Sequence, residues 1–357
     1  KNSAKQFYLK NADGSSLLAG YPWFKIRARD ELIALPGCTL SVHHKPDFEA
    51  IMDTASAALR RWMADGTPDR HLQGLDLPDI PLWAIWDVQR YAHDQNNTMA
   101  RERYGMLVKE LLAFIIDDRH PNLHVQDNGL VATDGTRRPV SWMNSTHPDG
   151  TPMIPRTGLL LEFNALWYNA LMFAIELFAD EADSDAERER WQEIADRAKP
   201  AFVDTFLNEY GYLYDYVNGS YTDLSVRPNM VIACGIDYSP LDRRQRKGVL
   251  DVITRELLTP KGLRTLSPNS FGYLPLYLGN PDEREQAYYN GPARPWLMDF
   301  YSKAYIRVFG VGAISFIERM MIGFEDEMKE GCIGSLSELY DGNPPYIGRG
   351  ALWYVYV

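Results

Sequence analysis

The run "EFNALWYNALMFAIELFADE", residues 162–181, constrains the fold more than any other stretch. Its apolar positions Phe163, Leu166, Trp167, Ala170, Ala174, Leu177 and Phe178 follow i, i+3, i+4 spacing, the mark of an amphipathic helix that needs a partner. The same period recurs in "DFEAIMDTASAALRRWMADG", "LWAIWDVQRYAHDQ", "ARERYGMLVKELLAFIIDD", "DAERERWQEIADRAKPAFVDTFL", "LDRRQRKGVLDVITREL" and "FYSKAYIRVFGVGAISFIERMMIGFEDEM". Loops rich in Gly, Pro and Asn separate these segments, and no Pro/Ser-rich linker divides the chain. Residues 1–357 therefore read as one all-α domain of stacked helix pairs. Strand signals are weaker, at "NGLVAT" and "YGYLYDYV", and predict hairpin fragments between helices.

Local signals sharpen some boundaries. Ser184 with Glu187 three residues on predicts a capping box. Ser239 before Pro240 predicts another helix start, and Gly66 and Pro121 predict helix ends. The chain opens on Lys1 and stops in "GALWYVYV", which reads like a helix just begun, so segments are expected to be missing at both ends.

Composition bounds the function. A net charge of −11 argues against nucleic acid or an anionic membrane surface as partner, since both need clustered Lys and Arg. No apolar run approaches the length of a membrane span. Cys38, Cys234 and Cys332 are odd in number and far apart, which fits a reducing, cytoplasmic compartment and supplies no paired metal motif. His43 and His44 are adjacent, and His120 and His124 are split by Pro121, so neither pair forms a helical metal face. No phosphate-binding loop or nucleophile elbow stands out, and no metal or organic cofactor is expected. The 9 Trp and 21 Tyr exceed what a core alone tends to need, and flat rings with polar edges suit sugars.

Several loops mix aromatics with charged or amide side chains, among them "AGYPWFKIRARDELIALPG", "PVSWMNSTHPDGTPMIPRTG", "YYNGPARPW" and "IGSLSELYDGNPPYIGRG". If the helix pairs close into a ring, such loops converge at one end and build a concave site. Arg29 and Asp30 read either as a surface ion pair at a helix start or as a grip on sugar hydroxyls. Glu338 reads as an exposed loop carboxylate or one aimed by the ordered loop around it. Asp341 reads as a turn residue before Gly342. Glu162, beside a strongly apolar face, must be structurally paired or functional.

Taken in order, these blocks resemble the C-terminal glucosidase domain of glycogen debranching enzymes. "AGYPWF…RDELIALPG" is similar to that family's "GYPWF…GRDT.IALPG". "SWMNS…PRTGLLLEFNALWYNAL" is similar to its "TWMD…P R.G..VEINALWYNAL", and "RPNM", "LRTLSP", "AYYNG…PWL" and "SELYDG.PP…RG" follow in order, from about Ala19 to Gly350. The resemblance implies an (α/α)6 toroid related to fungal glucoamylases. It also implies inverting hydrolysis of α-1,6-linked glucose at a glycogen branch point, with an α-glucan or oligosaccharide as partner. It leaves room for an additional N-terminal domain, such as a transferase, ahead of Lys1. Inversion needs an acid and a base, two carboxyl groups roughly 6.5–9.5 Å apart. On the matching positions Glu338 is the general base, and Arg29 and Asp30 hold the terminal glucose. Trp23, Trp142, Tyr288 and Trp296 line the pocket, with Glu162 and Arg227 close to it.

The acid position departs from the pattern. Asn144 stands where the family carries its Asp, and an amide can hold the glycosidic oxygen but cannot protonate it. General acid catalysis contributes about 10²–10⁴-fold, so the departure bears on activity. The family's His in "AYH.G" is Tyr289 here, its next-to-last Trp is Arg294, and the Gly before "RD" is Ala28. Three readings stay open: an engineered trap, a divergent hydrolase using another carboxyl group such as Glu162 or Asp149, or a glucan-binding protein without turnover. Tyr289 and Arg294 also admit a toroid glucosidase of different linkage preference.

Overall fold

The periodic stretches form helices that alternate between an inner and an outer position. The computed structural model describes residues 2–11, 14–21, 24–330 and 334–353. Along it run α1 (Ala28–Cys38) and α2 (Lys45–Asp65), α3 (Ile80–Asp94) and α4 (Asn97–Ile116), α5 (Leu161–Leu177) and α6 (Asp185–Phe206), α7 (Met230–Gly235) and α8 (Arg243–Glu256), and α9 (Met298–Phe309) and α10 (Ile314–Glu330). The odd-numbered helices contact one another in succession, α1 with α3, α3 with α5, α5 with α7 and α7 with α9. The even-numbered helices lie outside them. This is the repeating unit of an (α/α)6 toroid, and five inner–outer pairs are traced among the described residues. None of these helices is long and apolar enough to cross a membrane.

Sequence decides which ring a helix joins. In α5 almost every residue is buried, because "LEFNALWYNALMFAIEL" is apolar on all sides and touches neighbours on all sides. In α6 only one stripe is buried, Trp191, Ile194, Ala195, Ala198, Phe202 and Phe206, and the rest is charged and faces water. The polar residues of α5 are spent on neighbours. The Asn164 amide accepts the Val131 N–H (2.7 Å) and donates to the Val131 carbonyl (3.0 Å), and the buried Trp167 indole donates to the Gly129 carbonyl (2.9 Å). Truncating such a buried Trp typically costs about 3–5 kcal/mol.

Both expected hairpin regions contain strands. β1 (His124–Val125) pairs β2 (Val131–Ala132), while β3 (Leu159–Leu160), β4 (Tyr216–Asn218) and β5 (Tyr221–Thr222) form a small antiparallel sheet. A second sheet gave no clear periodic signal. It joins β6 (Leu258–Thr259), β7 (Gly262–Arg264), β8 (Ala293–Arg294), β9 (Leu336–Tyr340) and β10 (Gly348–Trp353) in antiparallel order. β9 is buried along its whole length, so Glu338 sits on a strand and not on an ordered loop. The expected helix start in "GALWYVYV" is instead the end of β10, and residues 354–357 lie outside the described residues.

Three boundary expectations need correction. Ser184 forms no capping box: Lys109 donates to Ser184 Oγ (2.8 Å) and pairs with Glu187, drawing both side chains to α4. The helix after Pro240 begins at Arg243, because Asp242 and Gln245 form the reciprocal capping box there. The stretch 300–328 is two helices. Gly310, at φ +71, ends α9, and a 3-10 turn over Gly310–Ala313 leads into α10. Gly66 does end α2 in the left-handed conformation that glycine adopts without strain.

Candidate active site

α1 supplies one wall of a cleft. Its first turn holds Arg29 and Asp30 in adjacent positions, and a helix sends adjacent residues in directions about 100° apart. Arg29 turns into the protein and forms a bidentate pair with the buried carboxylate of Asp79, Nε to Oδ2 at 2.6 Å and Nη2 to Oδ1 at 2.8 Å. It also donates to the Val140 carbonyl (2.8 Å), which fixes the loop before Trp142. The surface ion pair with Asp30 is therefore not what forms, since Arg29 is buried and its fork is taken by Asp79. Asp30 lines the cleft with part of its surface open. Burial raises its carboxyl pKa, against the pull of Arg27 and Arg29.

The opposite wall comes from the sheet. Glu338 is buried, and its register explains its direction: Ser337 pairs with Leu352 but Leu339 with Arg349, so Gly350 and Ala351 together face Glu338 in a bulge. The Ala351 N–H donates to Oε2 at 3.0 Å. Gly350 is at φ +76, and a Cβ there would collide with that same oxygen, so only glycine admits the approach. Oε1 accepts from the Tyr288 hydroxyl and from Arg294 Nη1 (3.0 Å), the latter an ion pair between neighbouring strands. Burial pushes the Glu338 carboxyl up to about 8, and Asp30 adds to the rise. The Ala351 N–H and the charge of Arg27 oppose the rise.

Tyr288 and Tyr289 span the cleft between the two sides. Tyr288 donates to Glu338, while the Tyr289 hydroxyl donates to Asn144 Oδ1 at 2.8 Å. That bond leaves the amide Nδ2 of Asn144 to donate to a ligand. Arg294 lies under both rings, 4.2 Å from the centre of Tyr288 and 4.8 Å from that of Tyr289. Trp142 meets Tyr289 and Trp296 edge to face at 5.3 and 5.2 Å. The resulting cleft is lined by Phe24, Arg27, Arg29, Asp30, Ile33, Trp142, Asn144, Tyr288, Tyr289, Arg294, Trp296 and Glu338.

Glu162 and Arg227 do not line this cleft. Arg156, fully buried, pairs with both Glu162 oxygens and with Asp215 (2.7 Å). Asp215 accepts from the Asn229 amide (2.7 Å), whose oxygen accepts the Trp142 indole N–H (2.7 Å). Glu162 thus acts at one remove, holding the network that orients Trp142; burial raises its pKa and Arg156 opposes the rise. Arg227 donates to the carbonyls of Tyr289 (2.7 Å) and Thr265 (3.2 Å) and so holds the tyrosine segment. Asp149 is exposed, and its bonds to Thr151 keep its carboxyl below the usual range. Neither Glu162 nor Asp149 faces the cleft to stand in for an acid at Asn144. Asp341 is no simple turn residue: it is buried, pairs with Arg349 (3.0 Å) and accepts the Tyr277 N–H (3.0 Å). Trp23 lies outside the described residues, as does Cys332.

The sequence marks Tyr289 and Arg294 as departures without counting them among the site residues, and Arg27 and Asp79 carry no signal in it. Asp79 was concealed because its importance comes from a pairing across fifty positions with Arg29. Four of the ordered blocks, those that hold Asp30, Asn144, Tyr288 and Glu338, line this one cleft.

A family model described as amylo-alpha-1,6-glucosidase matches residues 2–355. The chain belongs to that family of glycoside hydrolases. The glycogen debranching enzyme of Saccharomyces cerevisiae is 27% identical over an alignment of 190 residues that covers 44% of this chain and 12% of that enzyme's length. Among solved structures, a GH63 mannosylglycerate hydrolase from Thermus thermophilus, in complex with Tris and D-glycerate, superposes with a TM-score of 0.65 at 15% identity, covering 98% of this chain and 96% of its own. The same hydrolase in complex with glucose gives 0.59 at 14% identity, over 90% and 87%. An uncharacterized conserved protein of the same bacterium gives 0.62 at 15%, over 98% and 95%. At such identities the likeness speaks for the fold alone.

Proposed function

We propose that the cleft removes α-1,6-linked glucose from a glycogen-type glucan with inversion at the anomeric carbon. The single observation that carries the reading is that Asp30 and Glu338 line one aromatic-walled cleft. Asp30 accepts from hydroxyls of the terminal glucose, and Trp142 and Trp296 shape the wall its ring meets. Glu338 takes a proton from water as the water oxygen bonds to the anomeric carbon. The bond to the departing glucan breaks in the same step. Asn144 donates its amide N–H to the departing oxygen, whose proton then comes from solvent, because an amide has none to give at ordinary pH. Incubation with a phosphorylase limit dextrin should release free glucose, and Glu338→Gln should abolish it. Unchanged release from Glu338→Gln would sink the assignment.

Asn144 favours a second reading, a glucan-binding protein that kept the pocket and lost turnover. It requires maltooligosaccharides to bind with no product formed over long incubation. Release of glucose by the protein as it stands eliminates that reading. A third, a different linkage preference, draws on Tyr289 and Arg294 at the cleft; rates on isomaltose-type and maltose-type substrates distinguish it.

A further inference from the structure

The cleft is rich in guanidinium groups, and a neutral sugar does not need them all. Three arginines line it, Arg27, Arg29 and Arg294. Arg29 is fully engaged with Asp79 and the Val140 carbonyl. Arg294 is buried, gives Nη1 to Glu338 and Nη2 to the Tyr288 carbonyl (3.1 Å), and keeps a buried Nε with no partner among the described residues. Arg27 is partly exposed. It rests over the Phe24 ring at 4.8 Å, and its guanidinium makes no hydrogen bond or ion pair among the described residues. Both Asp30 and Glu338 feel its charge. A guanidinium fork matches a planar carboxylate or a phosphate in geometry and charge, and that of Arg27 is open to take one.

We propose that the glycoside entering this cleft carries an anionic substituent, a carboxylate or a phosphate ester, held by Arg27 with Arg294 behind it. The inference rests on the reading of the cleft as a sugar site, but not on turnover. Binding of glucose, glucuronate and glucose 6-phosphate to the intact protein, measured by calorimetry at matched ionic strength, tests it. At least one anion should bind about tenfold or more tightly than glucose, as expected when one charge-assisted hydrogen-bonded pair is added. Preference for glucuronate identifies a carboxylate, and preference for glucose 6-phosphate a phosphate. The preference should weaken with salt, disappear in Arg27→Gln and return in part in Arg27→Lys, which restores charge without the fork. Glucose binding as tightly as both anions overturns the proposal, as does binding by neither anion or an anion preference that survives Arg27→Gln. Hydrolysis of a neutral limit dextrin without any anion preference would sink this inference alone; an anion preference without hydrolysis would sink only the hydrolytic reading.

Discussion

Replacing Asn144 with Asp tests the chemistry at the cleft most directly. The side chains are isosteric, and the Tyr289 hydroxyl 2.8 Å from Oδ1 can donate to a carboxylate as it does to the amide. The substitution therefore changes what the group can give up, with little change in where it sits. A positioned general acid contributes about 10²–10⁴-fold, equivalent to about 2.7–5.4 kcal/mol of barrier. The Tyr289 bond stabilises the ionised form of the new carboxyl group, so its acid form becomes scarcer as pH rises. Asn144→Asp should then raise kcat/KM for glucose release from limit dextrin, with a larger gain at pH 5 than at pH 8. The assay is initial-rate glucose release across that range, with Glu338→Gln in the Asp background as control. If kcat/KM is unchanged at every pH while Glu338→Gln still abolishes release, Asn144 does not face the departing oxygen.

Arg294→Met removes a donor and a charge from Glu338, so the base should titrate higher and the acidic limb of the pH–rate profile should move to more alkaline pH; a limb that stays in place refutes the coupling. Glu31, on α1, is buried with its carboxyl pushed up to about 8 by burial, above its unfolded value. Its stabilising contribution is present below the ordinary carboxylate range and lost as pH rises toward 8, a loss bounded on the order of 5 kcal/mol. Glu31→Gln should accordingly raise the Tm at pH 8 relative to the parent and do little at pH 4, as read by thermal melts at both. Arg156→Met leaves Glu162 and Asp215 buried without their cation, and should destabilise the fold by about 3–5 kcal/mol in denaturant titrations while also lowering activity through Trp142.

The helical half of this fold was legible because amphipathic period and all-round apolarity are local properties, and α5 and α6 differ in just those terms. The sheet that carries Glu338 was not, because β6, β7 and β8 are two or three residues long and owe their pairing to distant neighbours. The same distance concealed the partner of Arg29. Residue identity alone showed Glu162 to need a counterion, yet Arg156 and Asp215 reach it from separate loops, and only the folded arrangement reveals that the group is locked away from the cleft. Asp30, Trp142, Asn144, Tyr288, Trp296 and Glu338 were named from motif order and do meet around one cavity. Ser184 misled because a lysine on a neighbouring helix outcompeted the local backbone for its hydroxyl.

Consecutive tyrosines with opposite duties leave the cleft little independence between its two sides. A single peptide unit joins the ring that steadies Glu338 to the ring that steadies Asn144; Arg294 donates to the carbonyl of that unit, at Tyr288, and Arg227 to the next one, at Tyr289. Any ligand that pries one hydroxyl loose will tug on the other, so the attacking and departing ends of a bound glycoside are yoked mechanically before any bond is made or broken.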